Sequence, residues 1–113
     1  MADRLVPVAI ALGGFLGSVS RYAVETAVAG AGGILLVNVV GSFALAATVG
    51  VARSRRLRLF LTTGLLSSFT TYSTFAVESV SLGLPCGGAN VALTYTLGIG
   101  AAAAGVALGG RLR

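Results

Sequence analysis

The sequence predicts an all-α membrane protein of four transmembrane helices, with the third helix broken near its middle. Charged residues make up only 10% of the chain against 56% hydrophobic, where a soluble domain carries about a quarter charged. The eight arginines and three acids leave charge-free stretches at 5–20, 26–52, 59–77 and 79–110, of 16, 27, 19 and 32 residues. A membrane-crossing helix needs roughly 20 mostly apolar residues. Residues 67–75 read Ser67-Ser-Phe-Thr-Thr-Tyr-Ser-Thr-Phe75, six Ser or Thr and three aromatic side chains in nine, a density from which a straight helix in lipid gains nothing. Four spans account for most of the 113 residues, so one four-helix domain over 1–113 is expected, with short loops and no extramembrane domain.

The first span is expected over about 5–27. Gly13 and Gly17 form a GxxxG pair, with Gly14 and Ser18 offset by one, a strip of small residues that lets another helix approach closely. Arg21 and Glu25 enter its far end four residues apart on one face. They read either as a snorkelling Arg with a local ion pair at headgroup level or as functional groups. Gly30-Ala-Gly-Gly33 is a turn signal, and the second span follows over about 34–52. Its one strongly polar side chain, Asn38, is costly to bury without a partner. It reads either as an interhelical hydrogen bond or as a donor in a pore.

Arg53-Ser-Arg-Arg-Leu-Arg58 is the one dense charge cluster, and the positive-inside rule puts it in the cytoplasm. The third span is expected over about 59–80. Its Ser/Thr run offers the backbone local alternatives to helical bonding. Irregular backbone at membrane depth is tolerated only where it is buried in protein or lines a watery cavity, so a break here marks a functional site. The alternative is a continuous helix whose hydroxyls bond back to the preceding turn. Leu84-Pro-Cys-Gly-Gly88 reads as a loop, and the last span as about 89–108, with Asn90, Thr94, Tyr95 and Thr96 near its start. Its second half is mostly Gly and Ala, suited to tight packing.

Composition narrows the chemistry. There is no His, the single Cys is Cys86, and the acids are Asp3, Glu25 and Glu78. A His-based triad, a Cys/His metal site and a disulfide framework are excluded, and no enzyme is expected. The net charge of +5 would suggest nucleic acid in a soluble protein. Here the arginines flank apolar segments, as topology signals do, and no nucleic-acid partner is expected. The N-terminus is not expected to be a cleavable signal peptide, because residues 1–4 make a poor n-region and the apolar run continues through Ser20. With four spans, Arg4, Arg53, Arg55, Arg56, Arg58, Arg111 and Arg113 share one side, against at most Arg21 on the other. A single orientation in the cell membrane is expected, multi-pass, with both termini cytoplasmic. Four helices of this length enclose little volume, so a dimer or larger assembly is expected of a transporter.

Three blocks carry a resemblance. Gly13-Gly-Phe-Leu-Gly-Ser-Val-Ser-Arg-Tyr22, Gly33-Ile-Leu-Leu-Val-Asn-Val-Val-Gly-Ser-Phe43, and Gly64-Leu-Leu-Ser-Ser-Phe-Thr-Thr-Tyr-Ser-Thr-Phe75 followed by Glu78 resemble the signature blocks of the CrcB/Fluc family of fluoride channels. They occur in family order and spacing, and with Tyr95 the resemblance covers essentially the whole chain. It implies a fluoride-specific channel subunit that lets fluoride leave the cytoplasm passively and so reduces its toxicity. It also implies an antiparallel dimer with two narrow pores. In the family's broken third helix, backbone carbonyls of each subunit hold a structural sodium ion at the dimer centre. The matching positions here are Ser67 and Thr70, and the family usually has Gly in place of Ser67.

Fluoride gives up water reluctantly, so the implied pathway needs donors. Asn38 offers amide hydrogens, and Thr71, Ser73 and Tyr95 offer hydroxyls. The family also turns two Phe ring edges toward the anion; Phe75 is the second of these, and Tyr72 replaces the first. Arg21 matches a first-span Arg whose charge favours anion entry. Members that conduct well often continue a polar line beyond the Tyr, where this chain has Ile99 and Ala103, a pattern that implies one degraded pore. Antiparallel homodimers need nearly balanced flanking charge, whereas seven arginines against one direct this chain one way. The expected partner is therefore an oppositely oriented paralogue rather than a second copy.

Two other readings compete. A small multidrug-resistance-type proton-coupled cation antiporter is also short and four-spanned, but it needs a titratable acid near the middle of its first span, and residues 5–20 contain none. A non-conducting structural subunit of a heterodimeric channel is favoured by Tyr72, Ile99 and Ala103 and opposed by Asn38, Thr70, Thr71 and Phe75.

Overall fold

The computed structural model describes residues 3–112. Every regular element among them is helical: α1 (Leu5–Ala27), α2 (Ala31–Val51), α3 (Arg55–Leu59), a π-helical segment (Phe60–Leu66), α4 (Ser67–Phe69), α5 (Tyr72–Leu82) and α6 (Cys86–Leu112). Helices α1, α2 and α6, of 23, 21 and 27 residues, are each long and apolar enough to cross a membrane.

The helix ends follow local backbone chemistry. Gly30 alone carries the turn into α2, at φ 81°, a region open to glycine at no steric cost. Ala31–Gly33 therefore join the helix, ahead of the apolar run that begins at Ile34. Gly83 does the same after α5, at φ 66°. Pro85 then sits just before the first turn of α6, where its missing N–H costs nothing, and Cys86–Gly88 are helical rather than loop. At its other end α6 runs on to Leu112 and carries Arg111 in its last turn, a favourable place for a cation. Ser54 caps α3, its hydroxyl accepting from the Leu57 N–H at 3.3 Å.

Packing is between backbones. Helix α2 lies along α6, and a Cβ added at Gly105 would strike the Phe43 carbonyl, one at Gly50 the backbone of Gly109. Helix α1 lies against the π-helical segment and α4. Side chains at Gly13, Gly17 and Gly64 would run into the carbonyls of Phe60, Leu65 and Ile10 respectively. The GxxxG strip thus lets two backbones touch, and the segment it touches is the one wound to the wider π pitch. The polarity of the exterior fits this inside-out economy. Phe15, Val80 and Leu84 are exposed, while Gly13, Gly17, Gly33 and Gly41 are buried. An apolar exterior over a glycine-lined interior suits lipid as solvent.

One end of the bundle collects the arginines. Arg56 donates to Asp3 from Nε at 2.6 Å and from Nη2 at 3.1 Å, which brings the start of α1 to α3. The Gly50–Gly109 approach brings the end of α6 to the same place, so Arg4, Arg53, Arg55, Arg58 and Arg111 gather there. Arg113 lies outside the described residues. Among the described residues Asp3–Arg56 is the one ion pair. Arg21 and Glu25 make none, because helical side chains lean toward the N-terminus and Arg21 leans away from Glu25.

The bond from Arg56, then the Leu5 N–H, holds the Asp3 carboxyl below the usual carboxylate range, and Asp3 in turn raises Arg56. A depressed carboxyl stabilises its fold above its free pKa and loses that contribution as pH falls through the lowered value. Protection of the Leu5 amide against hydrogen exchange is therefore expected to hold at neutral pH and to fade below the ordinary carboxylate range. In Asp3→Asn it should be reduced at neutral pH also. Equal protection in both proteins at every pH would contradict this.

Candidate functional site

Thr70 and Thr71 leave helical geometry, at φ −83°, ψ 157° and φ −146°, ψ 121°. Extended backbone at a buried position must find partners for its N–H and C=O. Asn38, on α2, supplies both. Its Oδ1 accepts from the Thr71 N–H at 2.8 Å, and its Nδ2 donates to the Thr71 carbonyl at 2.9 Å. This two-point match fixes the amide's orientation, since a flipped amide would set donor against donor. One hydrogen remains on Nδ2. Thr71 then starts α5 as its N-cap, its Oγ1 accepting from the Thr74 N–H at 3.2 Å.

The interruption frees the carbonyls of residues 67–70, those of Ser67 and Thr70 among them. In an unbroken helix Ser67 would accept from the Thr71 N–H and Thr70 from the Thr74 N–H. Those donors are diverted to Asn38 and to the Thr71 hydroxyl. The carbonyls of Ser67 and Thr70 are left without their helical partners. Ser67 itself is at φ −67°, ψ −30°, a conformation any residue adopts, so serine in place of glycine costs the backbone nothing here. Its hydroxyl donates back to the Thr63 carbonyl.

Beside the break lies an open groove of about 400 Å³ between α2, α5 and α6. Its wall is mostly apolar, Leu45, Ile99 and Ala102 included, with polar side chains from Asn38, Ser42, Thr70, Thr71 and Thr94. Phe75 is 6% exposed at the centre of three rings. Tyr72 is tilted against it at 5.9 Å and 55°, and Tyr95 meets it edge-on at 6.0 Å and 76°. The rim of an aromatic ring is electropositive and attracts an anion. Tyr72 and Tyr95 remain 72% and 51% exposed.

The groove brings together Asn38, Thr70, Thr71, Tyr72, Phe75 and Tyr95. It does not include Ser67, Ser73 or Arg21. Ser73 is exposed on α5, turned away because Thr71, Tyr72 and Phe75 occupy the groove-facing side of that helix. Arg21 is half-buried on α1, which packs on the π-helical segment rather than on the groove walls. Ser42 and Thr94 line the groove though the sequence led neither to be assigned to the fluoride pathway. Helical spacing could have found Thr94, because Thr94, Tyr95, Gly98, Ile99 and Ala102 recur three and four residues apart.

Residues 8–108 match the family described as CrcB-like protein, Camphor Resistance (CrcB). The chain is 43% identical over 110 residues, 92% of its length and 86% of the relative's, to Fluoride-specific ion channel FluC 2 of Halobacterium salinarum. It is 49% identical over 107 residues, 90% and 80% of the two chains, to Fluoride-specific ion channel FluC 1 of Haloarcula marismortui. With Fluoride-specific ion channel FluC of Ruminiclostridium cellulolyticum it shares 39% over 93 residues, 73% and 72% of the two chains.

Proposed function

The chain belongs to the CrcB-like protein family, and on that footing we propose that it is a subunit of a fluoride-specific channel, passing fluoride passively out of the cytoplasm. The observation that carries this reading is the groove beside the Thr70–Thr71 interruption, where an amide, hydroxyls and edge-on rings converge between apolar helices. An anion stripped of water needs donors in place of its hydration shell. The remaining Asn38 amide hydrogen, the Tyr95 phenol and the rim of Phe75 supply them. Arg21 acts outside the groove, drawing anions toward the mouth, and Ser73 acts on the face that a partner subunit would meet.

In this reading the helical segments on either side of Thr70–Thr71 together make a third crossing, with α1, α2 and α6 as the other three. The arginine-rich end lies in the cytoplasm, and with it both termini. The partner is an antiparallel paralogue of opposite charge bias, because a chain with its arginines at one end inserts one way. Crosslinks between identical positions of two copies across an antiparallel interface would contradict that pairing.

The freed carbonyls of Ser67 and Thr70 fit a structural sodium ion shared with the partner subunit. No group of three or more His, Cys, Asp or Glu side chains occurs among the described residues, and in this reading the cation takes main-chain oxygens. A bound sodium would supply positive charge in place of the N–H donors missing at Ser67 and Thr70. Exchanging sodium for N-methylglucamine should destabilise the purified assembly, and unchanged stability would remove sodium from the account.

The function is tested in cells lacking their own fluoride exporter. Expression of the chain, with its paralogue where one is required, should restore growth at a fluoride concentration that stops the parent. Failure to restore growth with both proteins in the membrane would count against a fluoride channel.

A further inference from the structure

The groove has four aliphatic hydroxyls, and three are committed within the chain. Ser42 donates to the Asn38 carbonyl at 2.7 Å, Thr70 to the Leu66 carbonyl at 3.1 Å, and Thr71 to the Thr74 hydroxyl at 3.1 Å. The fourth, Thr94 on α6, is different. Its Oγ1 is buried and makes no hydrogen bond, the only hydroxyl of that kind among the described residues. A helical threonine ordinarily discharges its hydroxyl on the carbonyl four residues back, as Thr26 and Thr62 do here. Thr94 does not do so with the Asn90 carbonyl.

Burying a hydroxyl without a partner is unfavourable, and nothing else in the chain offsets it here. Such a group marks a place where a ligand completes the bonding. We propose that Thr94 is a fluoride ligand of the groove, donating its hydroxyl proton to the dehydrated anion beside Phe75 and Tyr95. Threonine on a helix has two χ1 positions open to it. The hydroxyl breaks no bond in turning from its present position into the groove, so the donor is available when the anion arrives. Fluoride, the smallest halide, takes short charge-assisted bonds from hydroxyls, and chloride gains less from the same donor. Thr94 therefore contributes to selectivity as well as to rate. The inference rests on the fluoride-channel reading above.

The test compares wild type, Thr94→Val and Thr94→Ser in liposomes, in the assembly that conducts, reading fluoride efflux, chloride efflux and thermal unfolding. Valine keeps the shape and removes the proton, and fluoride efflux is expected to fall about tenfold, the order of one bond to a charged group. Serine should stay within about twofold of wild type. The unfolding midpoint of Thr94→Val should equal or exceed that of wild type, since an unpartnered hydroxyl has been removed. Wild-type efflux from Thr94→Val overturns the inference and leaves the channel reading standing. Equal losses in both variants, or a lowered midpoint in Thr94→Val, assign Thr94 to packing and overturn it also. No efflux from the wild-type assembly overturns the channel reading itself.

Discussion

Replacing Asn38 with leucine is expected to abolish fluoride efflux, to below about a tenth of wild type, while the protein still inserts. The leucine fills a similar volume but leaves the Thr71 N–H and carbonyl, which Asn38 holds at 2.8 and 2.9 Å, with no partner in an apolar setting. Each orphaned group costs about 1–3 kcal/mol. The extended conformation of Thr70 and Thr71 is then no longer the favoured one, and the segment gains by closing into helix. Closure returns the Thr71 N–H to the Ser67 carbonyl and so consumes an oxygen proposed for sodium. Asn38→Asp separates the two roles. It keeps the acceptor for the Thr71 N–H but sets an oxygen against the Thr71 carbonyl, so it too should lose efflux. Efflux from Asn38→Leu near the wild-type rate would show that the clamp does not hold the pathway open.

The second large effect is expected at Gly17. A Cβ there would run into the Leu65 carbonyl, a backbone atom that no rotamer change moves. Gly17→Val must push α1 away from the π-helical segment, and overpacking of this kind costs about 3 kcal/mol or more. Loss of the folded protein in detergent, read by size-exclusion chromatography, is the expected outcome. Gly100 faces open space on α6, and Gly100→Ala should leave the same profile unchanged. A normal profile for Gly17→Val would mean that the close approach of α1 is not needed.

These two positions also mark what the sequence alone could and could not convey. The apolar stretches and their flanking arginines carry α1, α2 and α6 directly, since burial in lipid acts on local composition. Helix α1 runs from Leu5 to Ala27, on past the charges of Arg21 and Glu25. The GxxxG strip carries the packing use of Gly13 and Gly17 but not what they pack on. The wide turn at Phe60–Leu66 has no local signature; it accompanies the backbone contacts with Ile10, Gly13 and Gly17, some fifty residues away in the chain. Asn38 stands out as a lone amide in an apolar helix, yet its partner is a backbone 33 residues on, which residue types cannot specify. Helical spacing can place Thr94 on the groove face, but not show that its hydroxyl lacks an acceptor. One threonine near a helix start is unremarkable until the structure leaves its hydroxyl without an acceptor. Ser73 and Arg21 lie away from the groove of the single chain, so the proposed roles for them depend on the mouth and on the partner's face.

The most direct test of the channel reading is fluoride efflux from liposomes holding the purified chain, alone and together with the co-purified paralogue, followed with an ion-selective electrode beside chloride-loaded controls. Rapid fluoride efflux with the paralogue present, little from the chain alone, and no chloride efflux in either case is the predicted result. Fluoride retention in both preparations, or chloride leaving as fast as fluoride, would contradict it.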